Sequence, residues 1–75
     1  MRSYQVKLTS VEDVKQLVNT TSKFGYEVEL QRGNYRVDAK SVMRVLSLGF
    51  NVPLTLTADT DNAAVLKREL DTLLI

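Results

Sequence analysis

Three stretches of the chain alternate apolar and polar residues, and this alternation constrains the fold more than any other feature of the sequence. The stretches run from Tyr4 to Leu8, from Tyr26 to Leu30 and from Leu54 to Ala58. Because successive side chains of a strand point to opposite faces of a sheet, each stretch is typical of a strand with one buried side. A sheet built from such strands needs to be covered on one face only.

A helix is predicted directly after the first strand, because apolar residues there recur at helical spacing. Ser10 is the expected N-cap, and acidic residues follow it in the first turn, where the helix dipole favours them. Gly25 is expected to end the helix. The predicted buried stripe consists of Val11, Val14, Leu17, Val18 and Thr21.

The second strand is predicted to return through a hairpin, and the chain is predicted to end in a helix. Arg32-Gly33-Asn34 is the expected turn, and Tyr35 and Val37 begin the return strand. Asp61 or Thr60 is expected to cap the last helix. The predicted buried stripe of that helix consists of Ala63, Leu66, Leu70 and Leu73.

The stretch between the hairpin and the last strand predicts a short central helix. Ser41 suits its N-cap and Gly49 suits the left-handed residue that closes a helix. A short helix on a sheet buries one stripe, so if Val45 and Leu48 face inward the remaining apolar residues face outward. These outward residues are Val42, Met43 and Leu46, and with the neighbouring Lys40 and Arg44 they predict a docking surface.

Ser41 has two interpretations that the residues alone leave open. As an N-cap it contributes about 1 kcal/mol to helix stability. It is also a candidate phosphorylation site, because a phosphoryl group at a helix N-terminus meets unpaired N–H groups and the positive end of the helix dipole. Lys40 and Arg44 are then candidates for charge-assisted hydrogen bonds to the phosphoryl oxygens.

The predicted element order is βαββαβα, in a single domain spanning residues 1–75. Since every strand has one apolar and one polar side, we expect an α+β open-faced sandwich, a four-stranded antiparallel sheet with three helices on one face. The polar face carries Glu27 and Glu29, which we interpret as solvated strand residues. No tyrosine is expected on that face, so it offers no platform for stacking bases.

Composition excludes several function classes. The chain has no histidine and no cysteine, so imidazole and thiolate chemistry, and metal sites that use them, are ruled out. We therefore expect no enzyme, no metal and no cofactor. The net charge of +1 gives no strong attraction to nucleic acid or to a membrane surface. With no apolar run long enough to span a bilayer, we expect a cytoplasmic protein that binds neither nucleic acid nor membrane.

The segment from Ala39 to Phe50 resembles the serine-helix segment of HPr, the phosphocarrier family of the bacterial sugar phosphotransferase system, most closely in its Gram-positive form. The resemblance implies the HPr-like open-faced sandwich for nearly the whole chain. HPr carries its phosphoryl group on a histidine in a Gly-x-His-x-Arg-Pro loop at the start of the first helix. Here that loop is missing, and Val11, Glu12 and Asp13 take its place, so the resemblance implies a relative that is unable to carry phosphohistidine.

The resemblance also implies a protein partner. The serine matching Ser41 is phosphorylated in Gram-positive HPr by an ATP-dependent HPr kinase, and that form binds a catabolite-control regulator. The expected function is a non-catalytic, HPr-like protein-binding module that docks onto a phosphotransferase-system enzyme, the kinase or the regulator. The expected contact residues are Val42, Met43, Leu46, Ser47, Lys40 and Arg44.

A second hypothesis is a structural or assembly partner that has left sugar regulation. In that case a homodimer or larger homo-oligomer is expected to bury the apolar stretch Leu73-Leu74-Ile75 together with the outward residues of the central helix. An enzyme is the third and least supported class, because the chain lacks clustered acids as well as histidine and cysteine.

Overall fold

The computed structural model describes all of residues 1–75 and consists of a four-stranded antiparallel sheet with helices packed on one face. In chain order the sheet elements are β1 (Arg2–Lys7), β2 (Val28–Arg32), β3 (Tyr35–Asp38) and β4 (Pro53–Ala58). The helices are α1 (Val11–Thr21), α2 (Val42–Leu46) and α3 (Ala64–Glu69), and a 3-10 turn follows at Asp71–Leu73. This architecture confirms the predicted fold class.

The strand order is β1-β4-β2-β3, which places the last strand of the sequence in the middle of the sheet. Leu56 of β4 pairs with Tyr4 on one side and with Leu30 on the other. The predicted alternation holds, since Leu56 and Leu30 are fully buried. On the opposite face, Gln5 donates a hydrogen bond to Thr55 over 2.8 Å. The open face is therefore polar, as expected.

Helix α1 begins as predicted and ends earlier than predicted. Ser10 is its N-cap, with the hydroxyl accepting the backbone N–H of Asp13 over 3.2 Å. Gly25 does not close the helix, so that prediction is wrong. The helix ends at Thr21, and the backbone N–H groups of the next three residues donate to the carbonyls of Val18, Thr20 and Thr21. With those carbonyls satisfied, no left-handed glycine is needed.

The buried stripe of α1 differs from the predicted one at its first residue. Val14, Leu17, Val18 and Thr21 are buried, as expected. Val11 is 45% exposed, so its predicted burial is wrong. Val11 is the first residue of α1 and lies at the margin of the stripe that the other residues define, so its side chain extends beyond the core.

The hairpin turn uses one left-handed residue. Gly33 has φ +58°, whereas Asn34 does not adopt a positive φ. The strand preceding the turn begins at Val28 instead of Tyr26. The ring of Tyr26 lies 5.4 Å from that of Phe24 and packs against the core from the connection before the strand.

The predicted caps of α3 are wrong, while its predicted stripe is confirmed. Asn62, not Asp61 or Thr60, supplies the side-chain acceptor, with its amide oxygen 3.1 Å from the backbone N of Ala64. The hydroxyl of Thr60 instead accepts the N–H of Asn62 and so is used within the preceding turn. Four residues of the α3 region are buried: Ala63, Leu66, Leu70 and Leu73.

The C-terminal residues lie along the outer edge of β1. Leu74 forms a bridge with Val6, and the backbone N–H of Ile75 donates to Gln5 over 3.0 Å. Leu73 is only 4% exposed. Under the homo-oligomer hypothesis the stretch Leu73-Leu74-Ile75 is expected in an interface, but the fold itself buries Leu73 and partly buries Leu74 against the core. None of the helices is long and apolar enough to cross a bilayer.

Candidate functional site

Helix α2 is five residues long, and polar contacts fix both of its ends. At the start, the Ser41 hydroxyl accepts the backbone N–H of Arg44 over 3.4 Å, which confirms the predicted cap. At the end, Gly49 has φ +84° and closes the helix as expected. The guanidinium of Arg32 donates to the carbonyl of Leu48 over 2.7 Å. A cation at the C-terminal end of a helix is favoured by the helix dipole.

The apolar residues of α2 divide as predicted into an inward and an outward set. Val45 is fully buried and Leu48 is 1% exposed. Met43 is 77% exposed, more than any other large apolar side chain of the protein, and Val42 is 38% exposed. Leu46 is intermediate and packs partly against the core. An exposed methionine on a rigid element is a flexible apolar group suited to contact with another protein.

The two basic residues beside Ser41 have different surroundings. The ammonium group of Lys40 donates to the carbonyl of Phe24 over 2.7 Å, which ties this side chain to the connection after α1. The Arg44 guanidinium is exposed and makes no hydrogen bond or ion pair within the chain. The Ser47 hydroxyl donates to the carbonyl of Arg44 over 2.6 Å. Of the two cations, Arg44 is therefore the one free to bind a partner.

The segment after α2 lies against the connection that leads into α1. The backbone N–H of Asn51 donates to the carbonyl of Leu8 over 2.8 Å, and Asn51 has φ +61°. Phe50, in the segment after α2, and Val11, the first residue of α1, are both exposed. The sequence interpretation missed this juxtaposition, and its one local signal was an asparagine, the non-glycine residue that best tolerates positive φ.

A carboxylate in the first turn of α1 is hydrogen-bonded to the connection between β1 and α1. Asp13 accepts both the backbone N–H and the hydroxyl of Thr9, each over 2.8 Å. These hydrogen bonds lower the pKa of Asp13 below its ordinary value, the backbone one contributing most. The groups here bond to one another, and none is an imidazole that accepts a phosphoryl group. No cluster of three or more His, Cys, Asp or Glu residues is placed to hold a metal ion.

A family model described as "PTS HPr component phosphorylation site" matches residues 13–74. The match begins at Asp13, within α1, and runs through the β2–β3 hairpin, α2, β4 and α3. It starts after the connection between β1 and α1.

Solved HPr structures share the fold over nearly their whole length. HPr-C-His from Thermoanaerobacter tengcongensis superimposes with a TM-score of 0.81 at 25% identity, covering 99% of this chain and 91% of that one. The histidine-containing phosphocarrier protein of a Mycoplasma gives 0.76 at 17% identity over 95% and 89% of the two chains. A phosphocarrier protein HPr from Bacillus anthracis gives 0.75 at 18% identity over 99% and 96%.

The last two likenesses concern the fold alone, whereas the family model also matches the sequence of most of the chain. The protein thus belongs to the HPr phosphocarrier family of the phosphotransferase system.

Proposed function

We propose that this member of the HPr family is a non-catalytic protein-binding module that does not carry phosphohistidine. It docks through the α2 patch, by which we mean Val42, Met43, Leu46, Ser47, Arg44 and Lys40. Its partner is a protein of the phosphotransferase or catabolite-control network: a phosphotransferase enzyme, HPr kinase or a catabolite-control regulator.

The loss of phosphocarrier chemistry is supported by the composition and by the β1–α1 connection. A phosphoryl group that passes onward from a nitrogen needs an imidazole, and the chain contains none. The hydroxyls nearby do not replace it, because a serine phosphate ester is far more inert. Asp13 is ionised at neutral pH, since its pKa is lowered, and a carboxylate repels an incoming phosphoryl donor.

The observation that carries the docking proposal is the exposure of Met43 on a capped, well-packed helix. Its side chain is 77% exposed although Val45, two residues on, is fully buried. The fold therefore does not use Met43 for its own stability. Rigid presentation of a flexible apolar group reduces the ordering cost of binding. Arg44 beside it favours a partner surface with an acidic rim.

Ser41 is the proposed regulatory residue. Its hydroxyl accepts the N–H of Arg44, and its side chain is partly exposed. Phosphorylation places two negative charges next to the first turn of α2 and to Arg44, which changes the charge of the α2 patch without moving the buried side of the helix. A partner that binds the patch then distinguishes the phosphorylated from the unphosphorylated form.

Binding is tested with purified phosphotransferase enzyme I, HPr kinase and catabolite-control regulator by isothermal titration. We expect one of them to bind the wild-type chain, and Met43→Asp to weaken that binding at least about tenfold, as loss of an interface anchor does. Val65→Asp is the matched control, because Val65 is 46% exposed on α3, outside the patch. Binding to none of the three, or equal losses in both variants, contradicts the proposal.

Phosphoryl transfer is tested separately, by mass spectrometry of the intact chain. Incubation with enzyme I and phosphoenolpyruvate is expected to give no acid-labile phosphoryl adduct. HPr kinase with ATP is expected to give an acid-stable adduct that is absent from Ser41→Ala. An acid-labile adduct shows that the chain is a phosphocarrier after all, and an unmodified Ser41 removes the regulatory role while leaving the docking role to the titration.

A further inference from the structure

The two outer edges of the sheet differ. The edge of β1 is covered by the chain itself, through the Val6–Leu74 bridge and the hydrogen bond from Ile75 to Gln5. Strand β3 forms the other edge, and it pairs with β2 alone. Its outward backbone groups are thus a template for another strand.

The backbone groups that β3 offers can be identified from its register. Leu30 pairs with Val37, and the N–H of Ala39 donates to the carbonyl of Val28 over 2.9 Å. Since the backbone groups of alternate residues face one neighbour of an antiparallel strand, Val37 and Ala39 face β2, and Arg36 and Asp38 face outward. Asp38 already accepts the N–H of Ser41 in the following turn, but a carbonyl has a second lone pair.

The side chains of Arg36 and Asp38 lie on the open face of the sheet and carry opposite charges. Both are exposed, and Arg36 makes no hydrogen bond or ion pair. Asp38 stands directly opposite Glu29 on the neighbouring strand. Like charges in directly opposed positions repel each other, so a cation on the free side of Asp38 is favourable.

We propose that β3 pairs with β3 of a second copy of this chain, antiparallel and with the two-fold axis at Val37. In this register Arg36 of each copy stands opposite Asp38 of the other, and each such pair also exchanges backbone hydrogen bonds. Sliding by two residues in either direction places Arg36 opposite Arg36, or Asp38 opposite Asp38. The charges therefore favour one register. Because the interface is isologous, the favourable Arg36–Asp38 pair forms twice in it.

Tyr35 adds an apolar contact on the other face of the same edge. Its side chain is 55% exposed, and it shares the helix-bearing face with Val37. Pairing brings each Tyr35 ring beside the second copy's β3. The strand has only four residues, so the dimer is weak and reversible, and low ionic strength strengthens it because its ion pairs are screened by salt.

The test is sedimentation velocity at rising protein concentration in low salt, on wild type, Arg36→Glu and Asp38→Lys. Each variant places like charges opposite each other twice. We expect wild type to associate, each variant alone to associate at least about tenfold more weakly, and an equimolar mixture of the two to recover, because Glu at 36 then faces Lys at 38. Lys7→Glu is the matched control on β1, with the same charge change as Arg36→Glu, and is expected to behave as wild type.

Three results overturn the proposal: a wild type that stays monomeric up to the millimolar range, an Arg36→Glu variant that associates as wild type does, and a mixture that does not recover. Asp38 also accepts the N–H of Lys40 over 2.9 Å, so Asp38→Lys is first checked for folding by circular dichroism. If Asp38→Lys does not fold, the self-association of Arg36→Glu is compared with that of Lys7→Glu to test the proposal. Neither of these residues contacts the turn between β3 and α2.

Discussion

At the entrance to α1, one carboxylate orders the turn by which the chain leaves the sheet. Asp13 accepts two hydrogen bonds from Thr9, and its own N–H donates to Ser10. This reciprocal arrangement resembles a capping box, in which side chains satisfy backbone N–H groups that a helix start leaves without partners. The residues at this connection therefore act as structural caps of α1.

A pH-dependent stability follows from Asp13. Its pKa is lowered in the folded state from the ordinary value of 3.8, so the folded state binds its proton less readily than the unfolded chain does. The stabilisation is fully present above the unfolded pKa and is lost as pH falls through the lower folded pKa. We expect the free energy of unfolding, measured by urea denaturation, to be higher for wild type than for Asp13→Asn at pH 6. The difference is expected to shrink below pH 4.

Thr9→Val supplies the control for that prediction, because it removes the hydroxyl donor and keeps the backbone donor. The pH-dependent difference is expected to become smaller in this background, since the pKa of Asp13 then lies nearer its ordinary value. A difference between wild type and Asp13→Asn that is the same at pH 6 and pH 3 contradicts this role of the carboxylate.

Among the elements, α2 depends most on its ends. A helix of five residues has too few internal hydrogen bonds to be stable alone. It is held by its buried Val45, by the Ser41 cap, by Gly49 and by the guanidinium of Arg32, which arrives from the β2–β3 hairpin. The α2 patch is thus connected to the sheet through the C-terminal end of its helix.

Arg32→Met is expected to weaken that end. The variant keeps an apolar stem and removes the donor to the Leu48 carbonyl, which costs about 1 kcal/mol at a partly exposed site. The measurements are amide hydrogen exchange and urea denaturation. We expect faster exchange in α2 and a lower urea midpoint than in wild type. Arg68→Met on α3 is the control, because its guanidinium has no partner. Unchanged exchange in α2 means that Arg32 does not hold the helix.

Local patterns predicted the elements well, and long-range contacts explain the failures. The alternation of β4 and the caps Ser10 and Ser41 depend on neighbours in sequence, and they were predicted correctly. The hydrogen bond from the Lys40 ammonium to the carbonyl of Phe24 was not predicted, because the two residues are 16 positions apart in the sequence. The start of α3 was misplaced because its N-cap is Ala63, which makes no side-chain capping bond. The polar residues before it do not mark the cap position in the sequence.

At the scale of the whole molecule, the sheet order joins the two ends of the chain. Strand β4 lies between β1 and β2, and its first partner lies more than 40 residues earlier in the sequence, as in the pairing of Arg2 with Ala58. The amphipathic pattern predicts that such a sheet has one covered face. It does not predict which strand is central or which edge stays free, because each strand carries the same alternation.

The central position of β4 makes Leu56 decisive for stability. Its side chain is fully buried, and its backbone pairs with both β1 and β2. Leu56→Ala removes buried contacts and leaves a cavity, which costs about 2–5 kcal/mol. A domain of 75 residues has only about 4–11 kcal/mol in total, so the variant is expected to lose about half of its free energy of unfolding.

The measurement is urea denaturation followed by circular dichroism, with Val65→Ala as control. Val65 is 46% exposed on α3, so its truncation is expected to change the free energy of unfolding by no more than about 0.5 kcal/mol. Because β4 joins β1 to the β2–β3 hairpin, loss at Leu56 is expected to unfold the sheet as one unit, with a single transition. A variant in which β1 melts separately shows that the two sides of the sheet are stabilised independently, and that the core is not shared across β4.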